Sequence, residues 1–279
     1  MTRQNASPAE GGALPPFTEA QIRTPVGAPL QVRLYGKREN AVVSPLVLHF
    51  HGGAFTAGSL DCGACVAGLL AEAGAIVISL DYPLAPAHPF PQAVEAGYEA
   101  LAWAWKSRQK LAGRNAPVFV AGEEAGGNLA AAVALMARDR DHPPLAGQIL
   151  LSPMLDACLG TASLRDVAAG PVGCTWADGW RQYLPRIEDA SHPYATPGSA
   201  LRLTGLPRTL LITAQDDPLR DETVAYAGRL RAAGLSVQDA VLPGATGWPG
   251  SYQSDGCGEA SWAASVQGEL ARFFAGTPA

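Results

Sequence analysis

Short apolar runs alternate with helix-spaced segments along most of this chain, and that alternation limits the fold more than any other feature. Leu30 to Tyr35 has period two, and Leu46 to Phe50 is a compact apolar run. Gly74 to Leu80, Val118 to Ala121, Gln148 to Leu151, Thr209 to Thr213 and Val237 to Val241 read as further strands. Helical spacing fills about 62–73, 92–110, 126–139, 221–233 and 258–274. Strand and helix in turn imply βαβ units, hence a mostly parallel sheet with helices on both faces. The 279 residues suit one large α/β domain with a small insertion, and 48% hydrophobic content can fill its core. From Asp156 to about Ala200 the rhythm breaks into Gly, Pro and aromatic residues with one helical stretch, which reads as an insertion, or cap, at 156–200.

Composition excludes several classes. Charged residues are 16% and the formal net charge is −5, with no basic run, so nucleic acid is not an expected partner. No apolar stretch reaches the length of a membrane span. Met1 to Pro16 lacks the basic end and apolar run of a signal peptide, so a cytoplasmic protein is expected. The five cysteines are an odd count in a long chain, which argues against a disulfide framework. Cys62 and Cys65 form a C-x-x-C, a spacing shared by redox and metal pairs. No second pair or histidine follows at zinc-site spacing, so the plain reading is two small residues on a helix. No metal or cofactor is expected.

Two segments carry chemistry. His51-Gly52-Gly53-Ala54-Phe55 follows a strand. Its glycines let backbone N–H groups approach a ligand and hold a developing oxyanion, although a structural turn would look the same. Gly122-Glu123-Glu124-Ala125-Gly126-Gly127-Asn128 lies between the strand at 118–121 and a helix. Strand, tight turn and helix make the G-x-S-x-G nucleophile elbow, here with Glu124 at its centre.

With DYPLAPAHPFPQAV at 81–94, LSPMLD at 151–156 and DPLRDE at 217–222, these motifs make the chain resemble the hormone-sensitive-lipase family of α/β hydrolases over about residues 30–275. The resemblance implies an α/β-hydrolase core at 29–155 and 201–279, with residues 1–28 as an arm contributing to the cap. It assigns the oxyanion-hole N–H groups to Gly52, Gly53 and Ala125, and the acid to Asp217. It places Glu124 where the family has serine and Thr246 where it has histidine. No histidine follows His192. Glu123 takes a structural hydrogen-bonding position.

A carboxylate beside an anion site suggests a general base. Glu124 removes a proton next to a carbonyl held by Gly53 and Ala125, and the resulting enolate cyclises, eliminates or isomerises. Such a lyase, isomerase or cyclase would act on a carbonyl-bearing small molecule, in natural-product biosynthesis by analogy. Covalent turnover through Glu124 fits poorly, since no histidine remains to activate water. Two alternatives stand. One is a catalytically inactive pseudo-esterase that binds a ligand, as the plant gibberellin receptors of the family do; the other is an atypical hydrolase. The helix start favours a charged Glu124, while burial, Glu123 and Asp217 favour a protonated one. His51, Phe55, Trp176, Trp180, Tyr183 and Trp248 are candidates to line a substrate pocket, against the plainer reading of cap and core packing. The assembly state is open, a homodimer included.

Overall fold

In a computed structural model, residues 16–23, 29–38, 43–167, 171–253 and 257–276 are described. Eight strands form one sheet: β1 (Phe17–Ile22), β2 (Leu30–Tyr35), β3 (Leu46–Phe50), β4 (Ile76–Leu80), β5 (Val118–Glu123), β6 (Gly147–Leu151), β7 (Thr209–Ala214) and β8 (Val237–Leu242). Their order is β1-β2-β4-β3-β5-β6-β7-β8. β1 and β2 run antiparallel to their neighbours, and every pairing from β4 to β8 is parallel. The central strands β3 to β7 are buried along their whole length, as parallel strands covered on both faces must be.

Seven helices connect the described strands: α1 (Ala64–Glu72), α2 (Gln92–Leu111), α3 (Ala125–Asp139), α4 (Ala162–Val167), α5 (Pro171–Tyr183), α6 (Arg220–Ala232) and α7 (Ala263–Ala275). Strand periodicity sorts the core into two layers. Leu46, Leu48 and Phe50 of β3, with Val118 and Val120 of β5, pack with α2, α3, α5 and α6. Val47, Phe119 and Ala121 point the other way, to α1 and α7. Burying each such Leu, Val or Phe contributes about 1.5–3 kcal/mol.

The expected α/β-hydrolase fold is present, with small differences. Residues 17–22, expected in an N-terminal arm, instead pair with β2 as the edge strand. Residues 1–15 and 24–28, including most of the segment weighed as a signal peptide, lie outside the described residues. The 156–200 segment holds two helices and short 3₁₀ turns rather than one helical stretch. The last helix begins at Ala263, after a 3₁₀ turn at Cys257–Glu259.

The cysteine expectation is corrected. Cys65 on α1 forms a disulfide with Cys257, 192 residues away, while Cys62 is a free thiol. Two cysteines that far apart carry no spacing signature, so residue counting had nothing to detect. No helix among the described residues is long and apolar enough to cross a membrane.

Candidate active site

The candidate residues gather at the carboxyl ends of β3, β5 and β7, where open α/β sheets place their sites. Glu124 caps α3 with φ 53° and ψ −117°, a backbone state rare for a side chain with a Cβ. Its own backbone holds it there: Glu124 N donates to Leu151 O at 3.0 Å, and Glu124 O accepts from Met154 N at 2.9 Å. The turn also needs glycine at 126. A Cβ there would collide with the backbone oxygens of Phe50 and His51, so α3 comes this close to β3 only without a side chain.

Glu124 occupies the anion site itself. Its Oε2 accepts the Gly53 N–H at 2.7 Å, and its Oε1 accepts from Trp176 Nε1 at 2.6 Å. Only 6% of the residue is exposed. Burial pushes its carboxyl above the usual range; the Trp176 and Gly53 bonds oppose this, neighbouring Glu123 adds to it, and the Ala54 amide opposes it. Of the two opposing expectations, burial wins.

The other predicted donors are divided. Gly52 N–H donates to Glu123 Oε1 at 3.0 Å, so it braces the elbow rather than facing a ligand. Glu123 Oε2 lies 2.7 Å from His49 Nε2, and His49 Nδ1 lies 3.0 Å from Ser79 Oγ. Glu123 thus ties β3 to β5 from below. Ala125 is the first residue of α3, and its N–H is one of the helix's unpaired first-turn donors.

His51 is a structural residue in this arrangement. Its Nδ1 donates to Gly52 O at 2.8 Å, its ring stacks on Tyr82 at 4.3 Å, and Tyr82 donates to His51 O at 2.7 Å. Burial pushes its imidazole pKa down.

The acid side is built separately. Asp217 accepts from the Ser152 hydroxyl, from Thr213 Oγ1 at 2.5 Å and from Leu219 N at 2.9 Å. Burial raises its carboxyl despite those three donors. The Tyr252 hydroxyl stands 3.3 Å from Ser152 Oγ and is pushed far up by burial, with Asp217, Glu123 and Glu124 all adding to the shift.

Thr246, expected at the family's histidine position, bonds the aspartate next to Asp217. Its hydroxyl donates to Asp216 Oδ1 at 2.7 Å, and Gly247 N donates to Asp216 Oδ2 at 2.8 Å, so the turn at 244–247 closes on Asp216.

The aromatic candidates do not form one pocket. Phe55 stacks on Tyr183 at 4.0 Å and meets Trp180 at 4.9 Å, all buried with Trp176 in the α2–α3 layer. Trp248 belongs to the opposite layer, packed on Tyr252 at 4.6 Å and Trp262 at 5.3 Å. All are packed in the core, and the Trp176 indole also touches Glu124. The partners that residue reading missed are Ser152, Thr213, Asp216 and Tyr252. Ser152 lay in a quoted motif and Asp216 beside Asp217, but nothing in the sequence marked Tyr252.

A family described as alpha/beta hydrolase fold matches residues 47–246. The chain belongs to that family. It is 38% identical over 207 residues to the carboxylesterase NlhH of Mycobacterium tuberculosis, covering 70% of this chain and 63% of that protein. It is 35% identical over 217 residues to the gibberellin receptor GID1B of Arabidopsis thaliana, covering 73% and 60%. The chain thus spans less than two thirds of the length of these relatives. Among solved structures it resembles EstE1, a thermophilic carboxylesterase from a metagenomic library, with TM-score 0.83, 30% identity and coverage of 97% and 92%.

These relatives overturn the enolate reading. They are esterases by name, with a receptor among them, and none is named a lyase, isomerase or cyclase. The geometry agrees, because the Gly53 N–H that would hold an enolate oxygen is taken by the proposed base itself. The lyase, isomerase or cyclase class does not hold for this member of the alpha/beta hydrolase fold family.

Proposed function

We propose that this chain is a ligand-binding pseudo-esterase, in which Glu124 stands at the family's serine position and the triad histidine has been lost. The observation that carries the reading is the Glu124 carboxylate seated on the Gly53 N–H and capped by Trp176 Nε1. A serine esterase needs a hydroxyl activated by an imidazole and an empty oxyanion hole. Here the nucleophile position holds a carboxylate, no histidine follows His192, and the Asp217 carboxylate is satisfied by hydroxyls. The ligand class is a carbonyl- or ester-bearing small molecule, taken from the esterase relatives. The gibberellin receptor GID1B among the relatives supports this reading, since it is a receptor by name.

A second reading, an atypical ester hydrolase, is favoured by the raised Glu124 carboxyl, since a carboxylate with an elevated pKa can act as a base on water. One experiment separates the two. p-Nitrophenyl butyrate is incubated with the purified chain and with Glu124→Gln, and both nitrophenolate release and intact protein mass are followed. The binding reading expects release at the buffer rate and no acyl adduct. Release above buffer by the native chain, abolished in Glu124→Gln, would establish the hydrolase instead.

A further inference from the structure

The disulfide has a third cysteine beside it. Cys65 lies in the first turn of α1 and is bonded to Cys257, with the two Cα atoms 5.7 Å apart. Cys62 is a free, partly exposed thiol three residues earlier, in the turn that leads into the helix. That turn is held by Gly63 N donating to Ser59 O at 3.1 Å and Ala64 N donating to Asp61 O at 3.1 Å. Cys62 stands three residues before Cys65, the spacing of a C-x-x-C pair. It precedes the Gly63 cap, outside the helical ladder, where Ser59 Oγ donates to its Sγ at 3.7 Å. Cys62 can therefore close onto Cys65 by a change in this turn without unwinding α1.

We propose that Cys62, Cys65 and Cys257 form a thiol–disulfide exchange site. The Cys62 thiolate attacks Cys65 Sγ, the Cys65–Cys257 bond breaks, and Cys257 leaves as a thiolate. A Cys62–Cys65 disulfide results. The proton lost by Cys62 is regained by Cys257 through solvent, and the net oxidation state is unchanged, so no outside oxidant or reductant enters. The C-x-x-C that made no sense as a zinc pair is the closed form of this exchange.

The exchange reaches the acid side of the candidate site. Cys257 is buried in the same apolar cluster as Trp248, Tyr252 and Trp262. The Tyr252 hydroxyl in turn meets Ser152, the partner of Asp217. In the Cys65–Cys257 form that cluster is tethered to α1. In the Cys62–Cys65 form the tether is gone, and the long loop it closed becomes a three-residue one. The exchanged form is therefore less stable to heat. The proposal does not depend on whether the site binds or hydrolyses its ligand.

The test is disulfide mapping of the full chain. The protein is held at pH 8 in a glutathione redox buffer and quenched with acid; its free thiols are then blocked with N-ethylmaleimide and the peptides are sequenced by mass spectrometry. Two populations are expected: Cys62 blocked with Cys65 linked to Cys257, and Cys257 blocked with Cys62 linked to Cys65. Cys62→Ser should leave only the first. Cys257→Ser should form the Cys62–Cys65 disulfide in the same buffer. The proposal is overturned if Cys257 is never blocked while Cys65 remains oxidised in the native chain. If Cys257→Ser does not fold, the native-chain map decides alone.

Discussion

Glu124 and Asp217 are both carboxylates buried at the carboxyl end of one sheet, yet they are held by different kinds of donor. Glu124 takes its bonds from the 51–55 loop and from α5, elements outside the sheet. Asp217 takes its bonds from Ser152 just past β6, from Thr213 within β7 and from Leu219 at the start of α6. Both carboxyls are raised by burial, but Asp217 is held from the end of the sheet and Glu124 from a loop and a cap helix. The acid side is therefore part of the scaffold, and the Glu124 side is the half built from loop and cap. Tyr252 is the group that feels both, since Asp217, Glu123 and Glu124 all act on its hydroxyl.

The largest expected effect is collective and sharpens what the halves share. Glu124, Asp217 and Glu222 all have carboxyls raised by burial, and that of Glu222 is pushed up to about 8. Each binds its proton more tightly folded than unfolded. Its stabilising contribution is complete below the ordinary carboxylate range and is lost as pH rises through the raised value. For Glu222 the window runs from 4.5 to about 8 and has an upper bound of roughly 4–5 kcal/mol at 1.36 kcal/mol per pH unit. Urea unfolding at pH 5 and pH 8 should show the chain weaker at pH 8. Glu222→Gln should flatten that slope, because a Gln carbonyl can still accept from Leu155 N and Asp156 N. A slope unchanged in Glu222→Gln would mean that another group sets the pH dependence.

Breaking the scaffold half comes next. Asp217→Ala leaves two buried hydroxyls and the Leu219 N–H without their acceptor. At about 1–3 kcal/mol for each unsatisfied group, partly relieved by entering water, the loss should be about 3 kcal/mol or more. Trp176→Phe breaks the Glu124 half more gently. It keeps an aromatic ring against the core but removes the Nε1 donor from Glu124, for about 2 kcal/mol and a further rise of the Glu124 carboxyl. Differential scanning calorimetry should rank Asp217→Ala below Trp176→Phe. The reverse order would show that the cap, not the β6–β7 end, anchors the site.

What the sequence disclosed follows the range of the forces involved. The strands and helices were legible because side-chain periodicity is local, and β2 and β3 fall where the apolar runs stand. The elbow was legible because its glycines permit a backbone approach that no other residue tolerates. Contacts across the fold were not. The path from Trp176 to Glu124 spans 52 residues, and that from Tyr252 to Ser152 spans 100. The Thr246 bond was not legible, because aligning a Gly-Trp pair says where the chain turns, not which of two adjacent aspartates the turn closes on. The enolate reading failed for a related reason: the sequence places Glu124 and the 51–55 loop near one another but does not say that the Glu124 carboxylate bonds the Gly53 N–H.

The smallest expected effect tests the join between the halves. Tyr252→Phe deletes a hydroxyl that is 3.3 Å from Ser152 and buried under Trp248 and Trp262. A long neutral hydrogen bond contributes about 0.5–1 kcal/mol, and the ring packing is retained. The stability change should therefore be slight. The informative quantity is the coupling between Tyr252→Phe and Trp176→Phe in a double-mutant cycle. If the acid side is fixed scaffold and the Glu124 side moves independently, the two changes add within about 0.5 kcal/mol. A larger interaction energy would show that Tyr252 transmits between Asp217 and Glu124, and that the two carboxylates act as one site.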